Sequence, residues 1–430
     1  MNRSRLLFIV CSALLVLPML MALVLSADPA RGRHADIRKD KEEDSFDTYL
    51  KYLKVFSEVL GLIRDTYVDE PNTEALMAGA LEGVTDAMDP FSVYVPAAAV
   101  PGYVKALAAG KSLSGLALLK ERGATLVMSV EKGSPADAAG LKVNDLVAKL
   151  NGNSTRTMPL WQMQEELVGS PGAKIALEVI RLGQPVQASF ELKPFTLPAV
   201  SVSEVGENGS PAAGARKAAP RGSGDTGNQG ERTATVLRIP SFTAETAAQV
   251  RGALGPRGQV GNGKLLVDLR GVSSGDPEAA YDVAKLFASG ELGALIRRKQ
   301  AQRAFEGTDT PFWQGRLLVL VDRGTAGPAE VFASVVRQRA GAELVGERTL
   351  GYAGHHAAAD LSTGSRLFFT DGFYTGPDKK PINESMKPDV QVSERNRTFL
   401  EKDVPMCELI LRRAVHHLFE APPEAAKKAA

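Results

Sequence analysis

The stretch from Lys132 to Leu141 reads KGSPADAAGL. Gly, Ser and Pro in succession are strong turn and helix-start signals, and the alanines that follow favour a short helix. Strand-like apolar runs lie on either side, at Thr125 to Val130 and at Ile175 to Ile180, and Asn151-Gly152 supplies a further turn. Residues 110–195 are therefore predicted to form a small, mostly β domain with one or two helices.

A different pattern begins at Thr233, where strand-like runs alternate with helical stretches. This alternation predicts βα units around a mostly parallel sheet over residues 233–395. The expected strands are Ala234 to Ile239, Lys264 to Leu269, Arg316 to Val321 and Glu343 to Val345, and the expected helices are Ala244 to Leu254, Glu278 to Phe287 and Ala329 to Arg339. The fold class is thus a multidomain combination of α+β and α/β architecture.

The remaining segments differ in composition from these two domains. Residues 28–45 are charge-rich and predict a solvated spacer, whereas residues 46–109 show helical apolar spacing. Residues 196–232 read as a linker whose part from Glu204 to Arg232 is a disordered, Gly/Ala/Ser/Pro-rich insertion. Residues 396–430 are expected to form a C-terminal helix and tail.

The N-terminus carries an export signal. Two arginines precede an almost unbroken apolar run from Leu6 to Leu25, so residues 1–27 are either a cleaved signal peptide or an uncleaved anchor held by residues 6–26. This arrangement places the rest of the chain outside the cytoplasm, which in a bacterium is the periplasm. Cys11 lies inside the run, which leaves Cys407 alone in the exported part, so no internal disulfide is expected there.

Composition excludes some function classes. The 430 residues exceed the size of a single core, which agrees with several domains. Lys and Arg number 51 against 50 Asp and Glu, so the chain lacks the basic excess of a nucleic-acid-binding protein. Five histidines without ligand spacing favour no metal site, and no cofactor is expected.

Several motifs in a fixed order resemble the carboxy-terminal processing, or tail-specific, serine protease family, whose members carry a PDZ domain. KGSPADAAGL at 132–141 is similar to the family's PDZ signature. The other matching segments are GVTDAMDPFSVY at 83–94, in which Phe91 replaces the usual His, VDLR at 267–270, GTA at 324–326, GERTLG at 346–351 and KPDV at 387–390.

The resemblance implies a peptide-binding groove in the PDZ domain. PDZ domains add a C-terminal peptide as a strand and hold its carboxylate with backbone N–H groups of a glycine-containing loop. The candidate loop consists of Leu113, Ser114, Gly115, Leu116 and Ala117, and the stretch Leu160 to Val168 is the expected groove helix. A plain strand with a glycine bulge is the alternative interpretation of that loop.

The resemblance also implies a protease site, but its chemical groups are missing from this chain. The nucleophile position is Gly327 and the position of the lysine base, 25 residues later, is Tyr352. One oxyanion donor would come from Pro328, which has no N–H, and the other from Gly275. His356 stands where a glutamine commonly orients the lysine. These substitutions predict a catalytically degenerate site.

Other residues could in principle supply a nucleophile and a base. The nearest hydroxyls in sequence are Thr325 and Ser334, and the nearest bases are His355 and His356. Structural roles for these hydroxyls and solvated roles for loop histidines are the simpler interpretations.

Three functions follow from these observations. The first is a periplasmic pseudoprotease that binds unfolded or C-terminal segments of exported proteins. The second is an active serine-type endopeptidase with a non-standard nucleophile. The third is a structural subunit of an active family protease, in which case deletion of residues 110–195 would leave function intact. A homo-oligomer is compatible with each of them.

Overall fold

The computed structural model describes residues 29–109, 113–206, 233–255, 263–393, 396–398, 401 and 404–420. They form two compact units, one up to Met77 and one from Ala78 onward, and each is considered by itself. The apolar run at 6–26 and residues 207–232 of the predicted insertion lie outside the described residues. Within the described ranges, no helix is long and apolar enough to cross a bilayer.

The first unit contains helix α1 (Pro29–Thr66). The structure makes residues 29–45 of the predicted spacer helical, a conformation that the sequence analysis did not assign to them. Arg, Lys and Glu, which favour helices, dominate this stretch, and it continues without a break into the apolar residues that begin at Phe46. Several apolar side chains of α1 are exposed, among them Tyr49 and Leu53.

Helix α2 (Thr73–Asp86) begins where the side chain of Asn72 accepts a hydrogen bond from the Ala75 N–H at 3.0 Å. Strand β1 (Val93–Val95) and helix α3 (Val100–Ala109) follow it. The region 46–109 is therefore not purely helical, because β1 supplies an edge strand to a sheet of the second unit.

The PDZ sheet contains six strands in the order β2-β3-β4-β6-β7, with β5 paired to β4, and every pairing is antiparallel. Alternate residues of its strands, such as Ile175, Leu177 and Val179, face a buried core. The elements are β2 (Leu116–Glu121), β3 (Ala124–Val130), α4 (Pro135–Ala138), β4 (Leu146–Leu150), β5 (Asn153–Ser154), α5 (Leu160–Val168), β6 (Lys174–Arg181) and β7 (Gln184–Glu191).

The central sheet of the C-terminal domain has the order β17-β14-β13-β10-β9-β8. Four of its pairings are parallel and the β8–β9 pairing is antiparallel. Its strands are β8 (Ser201–Gly206), β9 (Thr233–Arg238), β10 (Lys264–Asp268), β13 (Arg316–Val321), β14 (Glu343–Gly346) and β17 (Val390–Gln391). Strand β8 corrects the predicted start of the insertion, because Glu204 to Gly206 are held in the sheet by β9.

Helices cover both faces of this sheet, as parallel sheets require. On β10, Leu265 and Val267 face the core beneath α6 (Thr246–Leu254), α7 (Pro277–Ala284) and α8 (Pro328–Arg339). Leu266, between them, faces α9 (Met406–Phe419) on the opposite side.

A second, antiparallel sheet completes the domain. Strand β16 (Arg366–Tyr374) pairs with β1, with β11 (Glu291–Arg297) and with β15 (Gly354–Asp360), and β12 (Arg303–Glu306) pairs with β11. His355 and His356, which the sequence placed in a loop, lie on β15. The loops after β10, β13 and β14 meet at one edge of the parallel sheet, which positions the candidate site.

Candidate functional site

Gly327 closes the loop after β13 and caps helix α8. Its φ of 55° and ψ of −114° lie in a region that L-residues seldom occupy, which is typical of a sharp strand-to-helix turn. Its N–H is directed at the Tyr352 carbonyl and the Glu330 carboxylate, each at 3.1 Å. A Cβ at this position would find its nearest neighbour, the Tyr352 carbonyl oxygen, at 3.8 Å. The surroundings therefore leave room for a Cβ atom that the sequence does not supply.

The two predicted oxyanion positions differ in what they offer. Pro328 is the first residue of α8 and has no N–H. Gly275 forms an isolated parallel β-bridge with Phe242. The Phe242 N–H donates to the Ser274 carbonyl, and the Asp276 N–H donates to the Phe242 carbonyl. In a parallel pairing of this kind the N–H of Gly275 points away from Phe242. A Cβ on Gly275 would lie 2.1 Å from the Phe242 carbonyl oxygen, which only glycine avoids. Of the two predicted oxyanion positions, Gly275 therefore has a main-chain N–H and Pro328 has none.

Tyr352 lies in the loop after β14, beside Gly327. Its ring packs against Phe91 with centroids 4.1 Å apart and meets Phe373 edge-on at 5.7 Å. Its hydroxyl is hydrogen-bonded to the hydroxyl of Thr370. Burial raises the pKa of the Tyr352 phenol above its ordinary value. Because this phenol keeps its proton at neutral pH, it is not available there as a base for a nucleophile.

Phe91 and His356 complete an aromatic cluster around Tyr352. The ring centroids of both Phe91 and Tyr352 lie 6.0 Å from that of His356. The backbone before β1 is fixed by Asp89, whose carboxylate accepts from the N–H groups of Phe91 and Ser92, each at 2.8 Å. Desolvation lowers the pKa of His356, so this imidazole is neutral at physiological pH. The substituted positions in the sequence thus pack against one another.

Glu330 is the buried hub of the site, a role that the sequence analysis missed. Its fully buried carboxylate accepts hydrogen bonds from the N–H groups of Gly351 at 2.6 Å, Tyr352 at 2.8 Å and Gly327 at 3.1 Å. The Thr349 hydroxyl is a fourth donor. The sequence did offer a signal for this role, because Glu330 is an acidic residue inside the apolar run Pro328 to Val336. An acidic side chain that is buried in such a run needs hydrogen-bond partners.

The ionisation of Glu330 predicts a pH dependence of stability. Desolvation raises the pKa of this carboxyl to about 7, although its hydrogen-bond donors oppose the shift. The folded state therefore holds the proton more tightly than the unfolded state, and the resulting stabilisation is lost as pH rises from about 4.5 through 7. We expect the difference in unfolding free energy, wild type minus Glu330→Gln, to fall across this window by up to about 3 kcal/mol.

Urea unfolding of both chains at a series of pH values measures this difference. Groups other than Glu330 titrate in both chains, so their contributions cancel in the comparison. A difference that stays flat, or that increases with pH, would show that Glu330 does not bind a proton on folding.

The alternative hydroxyl groups have structural partners. The fully buried Thr325 hydroxyl donates to the Leu269 carbonyl at 3.0 Å and lies 3.2 Å from an Asp322 carboxylate oxygen. The buried Ser334 hydroxyl accepts from the Gln338 side chain at 3.1 Å. Neither hydroxyl is hydrogen-bonded to a histidine in the described residues.

His355 belongs to a separate polar cluster. Its Nδ1 lies 2.6 Å from an Asp371 carboxylate oxygen, and Arg297 contacts the same ring. The structure therefore does not bring His355 together with either hydroxyl that the sequence offered. In the described part of the chain, no group of three or more His, Cys, Asp or Glu side chains is placed to hold a metal ion.

The candidate carboxylate loop of the PDZ domain immediately precedes and enters β2. Gly115 has a φ of 70°, and a Cβ there would lie 2.0 Å from the Ser134 Cβ. The carbonyls of Leu113, Ser114 and Gly115 accept backbone hydrogen bonds, while the N–H of Leu116 is directed at the Ser114 hydroxyl at 3.2 Å. Ala117 lies within β2, opposite Ser129 of β3.

Strand β2 is the outermost strand of the described PDZ sheet, so one of its edges has no strand partner there. Helix α5, which the sequence assigned to the groove, packs beside β2. An extended peptide needs a free strand edge and a neighbouring helix of this kind in order to add to a PDZ sheet.

The PDZ domain contacts the loop that carries Gly275. The hydroxyls of Ser129 and Ser273 lie 2.8 Å apart, and the Ser274 hydroxyl donates to the Glu131 carboxylate at 2.6 Å. The end of β3 is therefore tied directly to the turn that follows β10.

Sequence comparisons agree with the two domains. Peptidase family S41 matches residues 233–392, and the PDZ domain family matches residues 126–181. This pairing of a parallel-sheet peptidase domain with a PDZ domain defines the class of protein.

Individual relatives define the family more closely. A carboxy-terminal processing protease of Bacillus subtilis, CtpA, is 26% identical over 336 residues, which are 76% of this chain and 66% of the relative. A carboxyl-terminal-processing protease of Synechocystis is 26% identical over 352 residues, 80% of this chain and 78% of the relative. The solved photosystem II D1 C-terminal processing protease has the same fold, with a TM-score of 0.63 and 23% identity over 83% of this chain and 92% of that one. The chain belongs to the carboxy-terminal processing protease family with a PDZ domain.

Proposed function

We propose that this chain is an exported, peptide-binding member of its family that does not hydrolyse peptide bonds. The observation that carries the proposal is Gly327 itself: a Cβ at this nucleophile position would meet nothing closer than 3.8 Å, yet the chain has no side chain there. Covalent catalysis requires a nucleophile, a base that can take its proton, and donors for the oxyanion. In this chain Gly327, Tyr352 and Pro328 fail these three requirements in turn.

The environment of Tyr352 adds support. A general base must be unprotonated at the working pH. Burial raises the pKa of the Tyr352 phenol, so the phenol stays protonated at neutral pH. The packing of Phe91 against Tyr352 places an apolar contact where the family has a polar base. The hydroxyl that bonds to Thr370 has a fixed partner of its own.

An active endopeptidase with Thr325 as nucleophile is less well supported. Its hydroxyl donates to a main-chain carbonyl and would have to leave a fully buried site to reach substrate. Loss of that bond would leave the Leu269 carbonyl without this donor, which costs stability.

Binding is assigned to the PDZ groove between β2 and α5. The ligand class we propose is an unfolded or C-terminal segment of an exported protein, because the free edge of β2 suits an extended chain. Export to the periplasm, with or without a retained anchor at residues 6–26, rests on the sequence of the N-terminus. Assembly with a second copy or with an active family protease is compatible with the exposed apolar side chains of α1.

We expect Gly115→Ala to weaken binding of a labelled unfolded peptide with a free apolar C-terminus by at least about tenfold. The new Cβ would collide with Ser134 and displace the candidate carboxylate loop. Gly123→Ala is the matched control, because Gly123 also has a positive φ, 79°, but a Cβ there meets nothing within 4 Å. Fluorescence anisotropy with the full-length chain in mild detergent measures both affinities.

An amidated copy of the same peptide tests the loop without a mutation, and we expect it to bind about as weakly to the natural chain as the free peptide binds to Gly115→Ala. Equal affinity of the natural chain for the free and amidated peptides would show that the terminal carboxylate does not contribute to binding. Absence of binding by either peptide would contradict the proposed function.

A further inference from the structure

A cavity of about 240 Å³ lies beside the candidate cleft, at the carboxyl ends of β13, β14 and β17. Arg323, which begins the loop leading to Gly327, lines one side, and Arg348, which begins the loop leading to Tyr352, lines another. The PDZ domain contributes Asn144, and the turn after β17 contributes Ser393. The same two loops that form the degenerate protease site therefore also form this cavity.

The charge of the cavity is unbalanced. Glu347 also lines it, and its carboxylate lies 3.4 Å from the Arg323 Nε. Arg348 exposes more than a third of its surface and has no ion-pair partner among the described residues. Two guanidinium groups thus face one carboxylate, which leaves one positive charge without a counter-charge on the wall of the cavity.

The wall also includes the apolar Leu350 and Val392, but several of its other groups suit a carboxylate ligand. Asn144, Gln391 and Ser393 are polar and uncharged, so they can hydrogen-bond to an oxygen anion without repelling it. Arginine presents a planar fork that matches the two oxygens of a carboxylate. The volume is below that of most drug-sized pockets and fits a group about as large as one amino-acid side chain.

We propose that the Arg323–Arg348 cavity is a specificity pocket for an acidic side chain of a peptide bound to this chain. The assignment deepens the proposed function and rests on it, because it supplies a preference within the bound peptide. The terminal carboxylate is left to the PDZ loop, so the cavity recognises a second, internal carboxylate.

The first arm of the test uses small probes and needs no peptide binding. Thermal unfolding of the full-length chain in mild detergent is followed with N-acetylglutamate, with N-acetylglutamine and with inorganic phosphate. We expect N-acetylglutamate alone to raise the melting temperature measurably, and Arg348→Gln to abolish that increase. Arg156→Gln is the matched control, because Arg156 is exposed on the PDZ domain and does not line the cavity.

The second arm uses labelled unfolded peptides with one common apolar C-terminus, in which a single Glu is moved along the chain and compared with Gln at the same place. We expect at least one position to give about tenfold tighter binding for Glu than for Gln, as a charge-assisted contact would. In Arg348→Gln this ratio should fall to about one, while the affinity of the Gln peptide and the behaviour of Arg156→Gln stay unchanged.

The two arms separate the two claims. Peptides that bind with equal affinity for Glu and Gln would overturn the specificity pocket and leave the proposed function standing. A response to N-acetylglutamate through Arg348 without any peptide binding would support the cavity as a carboxylate site and contradict the peptide-binding function. A larger stabilisation by phosphate than by N-acetylglutamate, or an unchanged response in Arg348→Gln, would overturn the assignment.

Discussion

A chain that carries Gly327→Ser, Pro328→Ala and Tyr352→Lys is expected to cleave an unfolded reporter that the natural chain leaves intact. A Cβ at residue 327 has only the Tyr352 carbonyl oxygen nearby, at 3.8 Å, so the Cβ of a serine meets no clash there. The positive φ would cost about 1 to 3 kcal/mol of strain, which functional sites commonly carry. Alanine at 328 restores an N–H at the first position of α8, where a helix leaves its N–H groups without internal partners.

The lysine at 352 would occupy the half-buried place of the phenol, between Phe91 and Phe373. Desolvation there lowers a lysine pKa and favours the neutral base. Glu330 accepts the main-chain N–H of residue 352, and that contact does not depend on the side chain. Assays at about pH 9 increase the neutral fraction further.

The matched control is the triple variant with Ala at 327 in place of Ser, which has the same backbone but no hydroxyl. We expect the serine variant to exceed it by at least about a hundredfold in turnover, and to be labelled by a serine-reactive phosphonate. Equal rates for the two variants would mean that restoring residues 327, 328 and 352 is not sufficient to make this site catalytic.

Replacement of Glu330 by Ala is expected to lower the free energy of unfolding by roughly 4 kcal/mol or more. The change leaves the N–H groups of Gly351 and Tyr352 and the Thr349 hydroxyl without their acceptor in a buried place, and it removes one of the two acceptors of the Gly327 N–H. It also opens a cavity beneath the loop that carries Tyr352. Urea unfolding at about pH 5, where the folded carboxyl holds its proton, gives the cleanest comparison.

Glu121→Ala is the matched control, since Glu121 is exposed at the end of β2. We expect its effect to stay within about 0.5 kcal/mol. A Glu330→Ala chain as stable as this control would show that the loops are held by other contacts.

Local sequence patterns predicted the central elements well, for a physical reason. Strands such as Arg316 to Val321 are buried on both faces and read as unbroken apolar runs, and the helices between them have apolar spacing. The turn chemistry of KGSPADAAGL marks helix α4, where the Ser134 side chain accepts from the Asp137 N–H. In such places one local rule is sufficient.

Two of the misses, strands β8 and β15, depend on partners that are distant in the chain. Strand β8 is held by β9, across the 26 residues 207–232 that separate them, so its own composition gave no signal. Strand β15, which carries His355 and His356, exists because β16 pairs along its whole length. The helix at residues 29–45 was missed because charge was taken to indicate a spacer, although Lys, Arg and Glu are also good helix formers.

The candidate site divides in the same way. Alignment with the family picked out Gly327, Tyr352 and Pro328, whose side chains or missing N–H can be read directly from the sequence. The packing of Phe91 against Tyr352 and the contacts of Glu330 with Gly351 and Tyr352 require tertiary structure, since they join segments that are distant in the chain. The Arg323–Arg348 cavity likewise forms only where separate strands end at one edge.

Whether the natural chain hydrolyses peptides is decided by intact-mass measurement of an unfolded reporter with a free apolar C-terminus, incubated with the full-length natural chain. We predict that the reporter binds and keeps its full mass, and that the serine-reactive phosphonate leaves the chain unlabelled. Cleavage of the reporter by the natural chain would contradict the proposed function. If Thr325→Ala abolished that cleavage, the nucleophile would be the Thr325 hydroxyl, which here donates to the Leu269 carbonyl.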